Sequence, residues 1–171
     1  EIAFSDGVFP TPSGRVELLS REAAARWGVD PLPDWAEPEE SDRRDAARLF
    51  PLWFMTPNTK NRIHSQFNNL RMIRQFSDRP LLQMHPDDAA ARGIGDAERV
   101  RVFNDRGQVE IEVRLDAGIR RGAVAMTNGW WISEGGTVNF LSQGRETDIG
   151  HGAAFHDNMV QVELADGGAR A

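Results

Sequence analysis

The sequence predicts a mainly β protein with short helices, a mixed barrel of about six short strands. Three observations point there. Arg99–Asn104 and Val109–Leu115 each alternate apolar with polar residues, and Asp105-Arg-Gly107 joins them as a turn, so the two runs form a hairpin. The other strand candidates are short, and only two short helices accompany them. No long alternation of strand and helix occurs, which argues against a doubly wound sheet.

The elements follow in chain order. Phe9-Pro-Thr-Pro-Ser-Gly14 is a turn, and Arg15–Leu19 is expected as a short strand. Ser20 caps a short helix over Arg21–Trp27, stopped by Gly28. Pro31, Pro33, Pro38 and the acidic run Glu37–Asp45 break regular structure, and that run suits a solvated tether. Leu49–Met55 is expected as a strand, Asn68–Phe76 as a short helix and Pro80–Met84 as a second strand. A helix starts after His85, with Pro86 at its first position, two acids in its first turn and Gly93 as its stop. Ala123–Thr127 and Met159–Leu164 supply the remaining strands. Two parts result: residues 1–45 as an irregular linker or extension from a preceding domain, and residues 46–171 as the barrel.

Composition bounds function. A chain of 171 residues with 40% hydrophobic residues buries one good core. No apolar run reaches the roughly 20 residues needed to cross a bilayer, so no direct membrane insertion is expected. The absence of cysteine excludes thiolate metal sites and iron–sulfur ligation within the chain. The charge is unevenly placed: residues 1–45 carry 11 acids and 5 bases, residues 46–171 carry 15 of each. That balance argues against nucleic acid as a partner. The chain opens Glu-Ile-Ala-Phe, without Met or a signal-like segment, as expected of a piece of something longer.

The densest chemistry lies in Thr56-Pro-Asn-Thr-Lys-Asn-Arg-Ile-His-Ser-Gln66, directly after an apolar run. From Ala46 to Ser77 there is no acid, while Arg48, Lys60, Arg62, Arg71 and Arg74 all fall there. Such a donor-rich, cationic island suits an anionic, heteroatom-rich ligand. His64 and Ser65 are adjacent, and in extended chain they point to opposite faces, which disfavours a base–nucleophile pair. His151, His156, Asp148 and Asp157 invite a metal, but the flanking Gly150 and Gly152 argue against the helix that would align the histidines. Gly129-Trp130-Trp131 suits either a stacking wall over a flat ligand or a plug at a barrel end. Gly135–Asn139 is a loop that delivers Asn139, whose amide both donates and accepts. His85 belongs to a helix N-cap, and Lys60 is expected to be exposed.

These pieces together resemble the C-terminal, molybdopterin-dinucleotide-binding domain of the dimethyl-sulfoxide-reductase family of molybdenum and tungsten oxidoreductases. The resemblance spans residues 50–164. It is carried by T-P-x-x-x-x-R-x-H-S-Q at 56–66, P-x-D-A-x-x-x-G-I at 86–94, V-R-V-F-N-D-R-G at 100–107, G-W at 129–130, V-N-x-L at 138–141 and T-D-x-G…H-D at 147–157. Residues 9–19, F-P-T-P-S-G-R-V-E-L-L, are similar to the segment leading into that domain. Two departures stand out: Asp96-Ala97-Glu98 where the family often has Asp-Gly-Asp, and Asn128 where it often has His.

The resemblance implies a six-stranded double-psi β-barrel that holds bis(molybdopterin guanine dinucleotide), with Mo or W bound through the parent enzyme. No metal is expected on this chain alone, and no catalytic residue. Thr56, Asn58, Arg62, His64, Ser65 and Gln66 are expected to face the cofactor, with Arg62 on pyrophosphate or a pterin oxygen and His64 on the pterin. Trp130, Asn139 and Phe155 follow, then His156 and Asp157. Expected partners are the remaining domains of the parent enzyme, and iron–sulfur and membrane-anchor subunits. The sequence leaves the compartment open, and prokaryotic cytoplasm or periplasm is expected, depending on a signal outside this sequence. The alternative is a double-psi barrel that binds protein or peptide and no cofactor.

Overall fold

In the computed structural model of the chain, residues 2–43, 45–76, 79–147 and 150–165 are described. They fall into two compact units, Glu1–Glu37 and Pro38–Ala171. None of the helices among the described residues is long and apolar enough to cross a membrane.

The first unit holds one helix, α1 (Arg21–Trp27). Ser20 Oγ accepts from the Ala23 amide at 3.1 Å, and Gly28 ends the helix in the left-handed region at φ +67°. The strand expected over Arg15–Leu19 does not form. Local side-chain bonds take the backbone groups of Arg15 instead: Thr11 Oγ1 donates to its carbonyl and Ser13 Oγ accepts from its amide. Val16 and Leu18 stay exposed, so no burial rewards an extended run.

The second unit is a closed six-stranded barrel. Its strands are β1 (Leu52–Met55), β2 (Leu82–Met84), β3 (Arg99–Phe103), β4 (Gln108–Leu115), β5 (Ala123–Met126) and β6 (Met159–Leu164), in spatial order β1-β5-β2-β4-β3-β6. Two neighbouring pairs, β1–β5 and β2–β4, run parallel, and the other four are antiparallel. This is the double-psi barrel. Short helices α2 (Arg71–Arg74) and α3 (Pro86–Ala90) fill two of the connections. At α3, His85 is the N-cap residue, its Nδ1 accepting from the Asp87 amide at 3.1 Å.

Alternation explains the barrel. Val100 and Val102 on β3 face Ile111 and Val109 on β4, all buried, while Arg101 and Glu110 pair on the other face. Phe54 and Leu52 of β1 join Leu82, Met84, Val113, Val124 and Met126 in the core. Ala89 and Ile94 bring the α3 segment against it.

The acidic run does not behave as a solvated tether throughout. Ser41 is buried, Glu39 pairs with Arg145 at 2.8 Å, and Glu40 pairs with Arg106, all within the second unit.

Ala97 takes φ +61°, a left-handed conformation that favours glycine. The turn is held there because the Ala97 amide donates to the Val113 carbonyl and Asp96 accepts from the Leu115 amide. Ala97→Gly is therefore expected to stabilise the chain by up to about 1 kcal/mol, relieved strain exceeding the added unfolded-state entropy. Urea unfolding measures this as a raised midpoint; a lowered midpoint would show that the turn carries no strain.

Candidate functional site

The candidate site is a cavity of about 650 Å³, in the size range of small-molecule sites. Its walls come from the segments that follow β1 and β5 and from residues 137–155.

Parallel strands β1 and β5 emerge at the same edge and release their next residues side by side. Asn128 Nδ2 donates to the Thr56 carbonyl at 3.1 Å and to Asn58 Oδ1 at 2.8 Å, and the Asn128 amide donates to the Pro57 carbonyl. One carboxamide NH₂ thus ties two acceptors at once. Gly129 sits at φ +80°, and a Cβ there would lie 2.1 Å from the His64 carbonyl oxygen. Only glycine permits the two segments to approach so closely.

Arg62 locks this junction from behind. It is only 5% exposed, and its guanidinium donates to the carbonyls of Gly129 at 3.0 Å and Asn128 at 3.2 Å. The same group lies 4.0 Å over the Trp130 ring. Its Nε is buried without a partner. Burial holds the guanidinium below its ordinary pKa, while nearby Glu134 acts in the opposite sense. Arg62 does not line the cavity, and two arms of its fork are taken up by backbone carbonyls rather than held out towards an anion.

Of the residues expected to face the cofactor, six line the cavity: Thr56, His64, Ser65, Trp130, Asn139 and Phe155. His64 has φ +49°, so the chain is not extended there. A turn closed by the Gln66 amide on the Ile63 carbonyl brings both His64 and Ser65 to the wall. No hydrogen bond to the side chains of His64, Ser65 or Asn139 occurs among the described residues, so their donors and acceptors remain for a ligand. Trp130 is almost wholly buried and forms part of the wall, its Nε1 donating to Thr127 Oγ1 at 2.9 Å. Trp131 is half-exposed and outside the wall, its indole donating to the Ser65 carbonyl at 3.0 Å.

The others of that set stand outside the wall. Asn58 serves Asn128, and exposed Gln66 closes the turn. His156 Nδ1 accepts from the Thr56 amide at 3.4 Å, with its ring against Phe155. The Asp157 carbonyl accepts from Gln143 Nε2 at 2.7 Å. His151 is itself part of the wall and pairs there with Glu146 at 3.0 Å, and no cluster of metal-ligating side chains occurs among the described residues. Asp148 lies outside the described residues.

Sequence reasoning missed the stretch Ser142-Gln-Gly-Arg-Glu146, which lines one wall. The signal available was its polar, glycine-containing character directly after V-N-x-L.

Residues 52–159 match the family model described as the Molydopterin dinucleotide binding domain. The chain belongs to the molybdopterin-dinucleotide-binding domains of the dimethyl sulfoxide reductase family. It is 33% identical to the dimethyl sulfoxide reductase DmsA of Escherichia coli over 90% of this chain and 21% of that protein. It is 35% identical to a dimethyl sulfoxide/trimethylamine N-oxide reductase of Rhodobacter capsulatus, over 91% of this chain and 20% of that one. The chain thus spans about a fifth of the length of these curated relatives. Its fold matches the acetylene hydratase of Pelobacter acetylenicus with a TM-score of 0.78 at 18% identity, over 96% of this chain and 25% of that chain.

Arg62→Ala strips two part-buried carbonyls of their donor and removes the ring contact, so a loss of about 3 kcal/mol is expected. Arg62→Lys should recover only part, because an ammonium does not fork and stack at once. Thermal unfolding of the chain measures both. Unchanged melting in Arg62→Ala would contradict the locking role.

Proposed function

We propose that this domain holds the guanine form of the cofactor, molybdopterin guanine dinucleotide, in the described cavity. The parent would be a molybdenum or tungsten oxidoreductase whose metal ligand lies outside this chain. The observation that carries the reading is the wall itself: unspent polar groups on His64, Ser65 and Asn139 converge beside Trp130. That donor set fits the cofactor, since a heteroatom-rich ligand needs hydrogen bonds to its edges and an anionic one needs donors and positive charge. Arg145 and His151 stand at the same wall, the first paired with Glu39 and the second with Glu146.

When bound, the cofactor's metal supplies the redox chemistry; this chain binds and orients. His64 presents its ring nitrogens at the cavity wall as hydrogen-bonding groups for the ligand's edge. Asn139 lines the same cavity with an amide that both donates and accepts. Thr56 and Phe155 shape the cavity, and Arg62 acts through Trp130 and Gly129. The remaining domains of the parent, with iron–sulfur and membrane-anchor subunits where present, would complete the enzyme. The family match favours this reading over a peptide-binding barrel.

The test is made in the full-length parent enzyme. Asn139→Ala should weaken cofactor retention about fivefold, the value of one hydrogen bond near 1 kcal/mol. His64→Ala should lower turnover more than cofactor content. Melting of the chain should hardly change in either, because neither side chain has a protein partner. Full cofactor content and normal turnover in both variants would contradict the assignment.

A further inference from the structure

We infer that Glu40 and Arg106 form a latch that positions the 141–146 wall of the cavity, so that Glu40 is a positioning residue for the ligand site. Glu40 stands in an acidic run, yet its side chain is only 16% exposed. Both its oxygens are used. Arg106 grips them through Nη1 and Nη2, and Oε2 also accepts from the Met159 amide at 2.8 Å, where β6 begins.

Arg106 carries the link onward. Its Nε and Nη2 donate to the Leu141 carbonyl at 3.0 and 2.8 Å, where Asn104 Nδ2 also donates at 2.8 Å. Three donors converge on one carbonyl, immediately before the stretch that lines the cavity. Nη2 also reaches Asn158 Oδ1 at 3.5 Å. Asn158 is wholly buried; its Oδ1 accepts from the Gln143 amide at 2.9 Å and its Nδ2 donates to the Phe155 carbonyl at 2.9 Å. Gln143 and Phe155 both line the cavity. A second tie runs alongside, from Glu39 to Arg145 at 2.8 Å.

Each link is directional and charge-assisted or part-buried, so removal of the carboxylate charge is not absorbed by solvent. Without it, the exposed Asp105 at 3.3 Å is the counter-charge left to Arg106 among the described residues, and the single oxygen of a carboxamide has to serve the Met159 amide and both Arg106 arms that two carboxylate oxygens serve now. The 141–146 stretch is held by few apolar contacts of its own: Leu141 is its one buried hydrophobic residue. It is the part of the unit that should open first when the latch fails.

The consequence for ligand binding rests on the proposed function, but the latch is measured without ligand. The experiment is amide hydrogen exchange on the 171-residue chain, comparing wild type, Glu40→Gln and Glu40→Asp. In Glu40→Gln the Gln143 and Met159 amides should exchange about tenfold faster or more, with the Val100 and Ile111 amides of the barrel within about twofold of wild type. Glu40→Asp keeps the charge and should fall between; should Glu40→Gln not fold, it supplies the same comparison alone. Unchanged exchange at Gln143, or an equal rise at all four amides, overturns the latch. Guanosine diphosphate serves as ligand probe in parallel. A wild-type chain that binds none contradicts the cofactor reading, while the exchange pattern still decides the latch.

Discussion

The parallel pairing of β1 with β5 is the constraint on which the site depends. Trp53, Phe54 and Met55 lie against Ala123, Val124 and Ala125 in the same direction, so both strands spill their next residues over one barrel edge. An antiparallel pair would send them to opposite ends. The segments 56–66 and 127–131 are then side by side, and Asn128, Gly129 and Arg62 convert that proximity into a fixed junction. The buried Phe54 and Val124 anchor it in the core.

Behind the cavity, two arginines do the same work in different places. Arg62 holds the carbonyls of the 128–130 turn, and Arg106 holds the carbonyl of Leu141. In each case a planar cation satisfies backbone acceptors that a polar loop would otherwise leave bare. The cavity's own polar side chains are relieved of structural duty. His64, Ser65 and Asn139 remain available because the arginines behind them are occupied.

Much of the barrel is legible in the sequence. The hairpin of β3 and β4 announces itself through alternation, because one face is buried and the other carries paired charges. Caps at Ser20 and His85 follow from short-range chemistry, and those side chains make the expected bonds. The strand expected at Arg15–Leu19 fails because alternation alone supplies no partner edge. Within the site, the donor-rich segment 56–66 was visible, but the division of labour inside it was not. Whether Arg62 faces a ligand or a carbonyl depends on Trp130 and Gly129, far away in sequence. Glu40 was hidden for the same reason: its partners lie in two other segments. The 142–146 wall has no periodic signature, since nothing in it is regular secondary structure.

The central claim is that the edge shared by β1 and β5 is the ligand-binding end of the barrel. The most direct measurement is an amide chemical-shift map of the chain titrated with guanosine diphosphate, the nucleotide half of the proposed cofactor. The expected result is a contiguous set of shifts at Ser65, Gly129, Asn139 and Gly144, with the Gly93–Glu98 turn silent. Saturable binding whose shifts fall away from those four residues would contradict it.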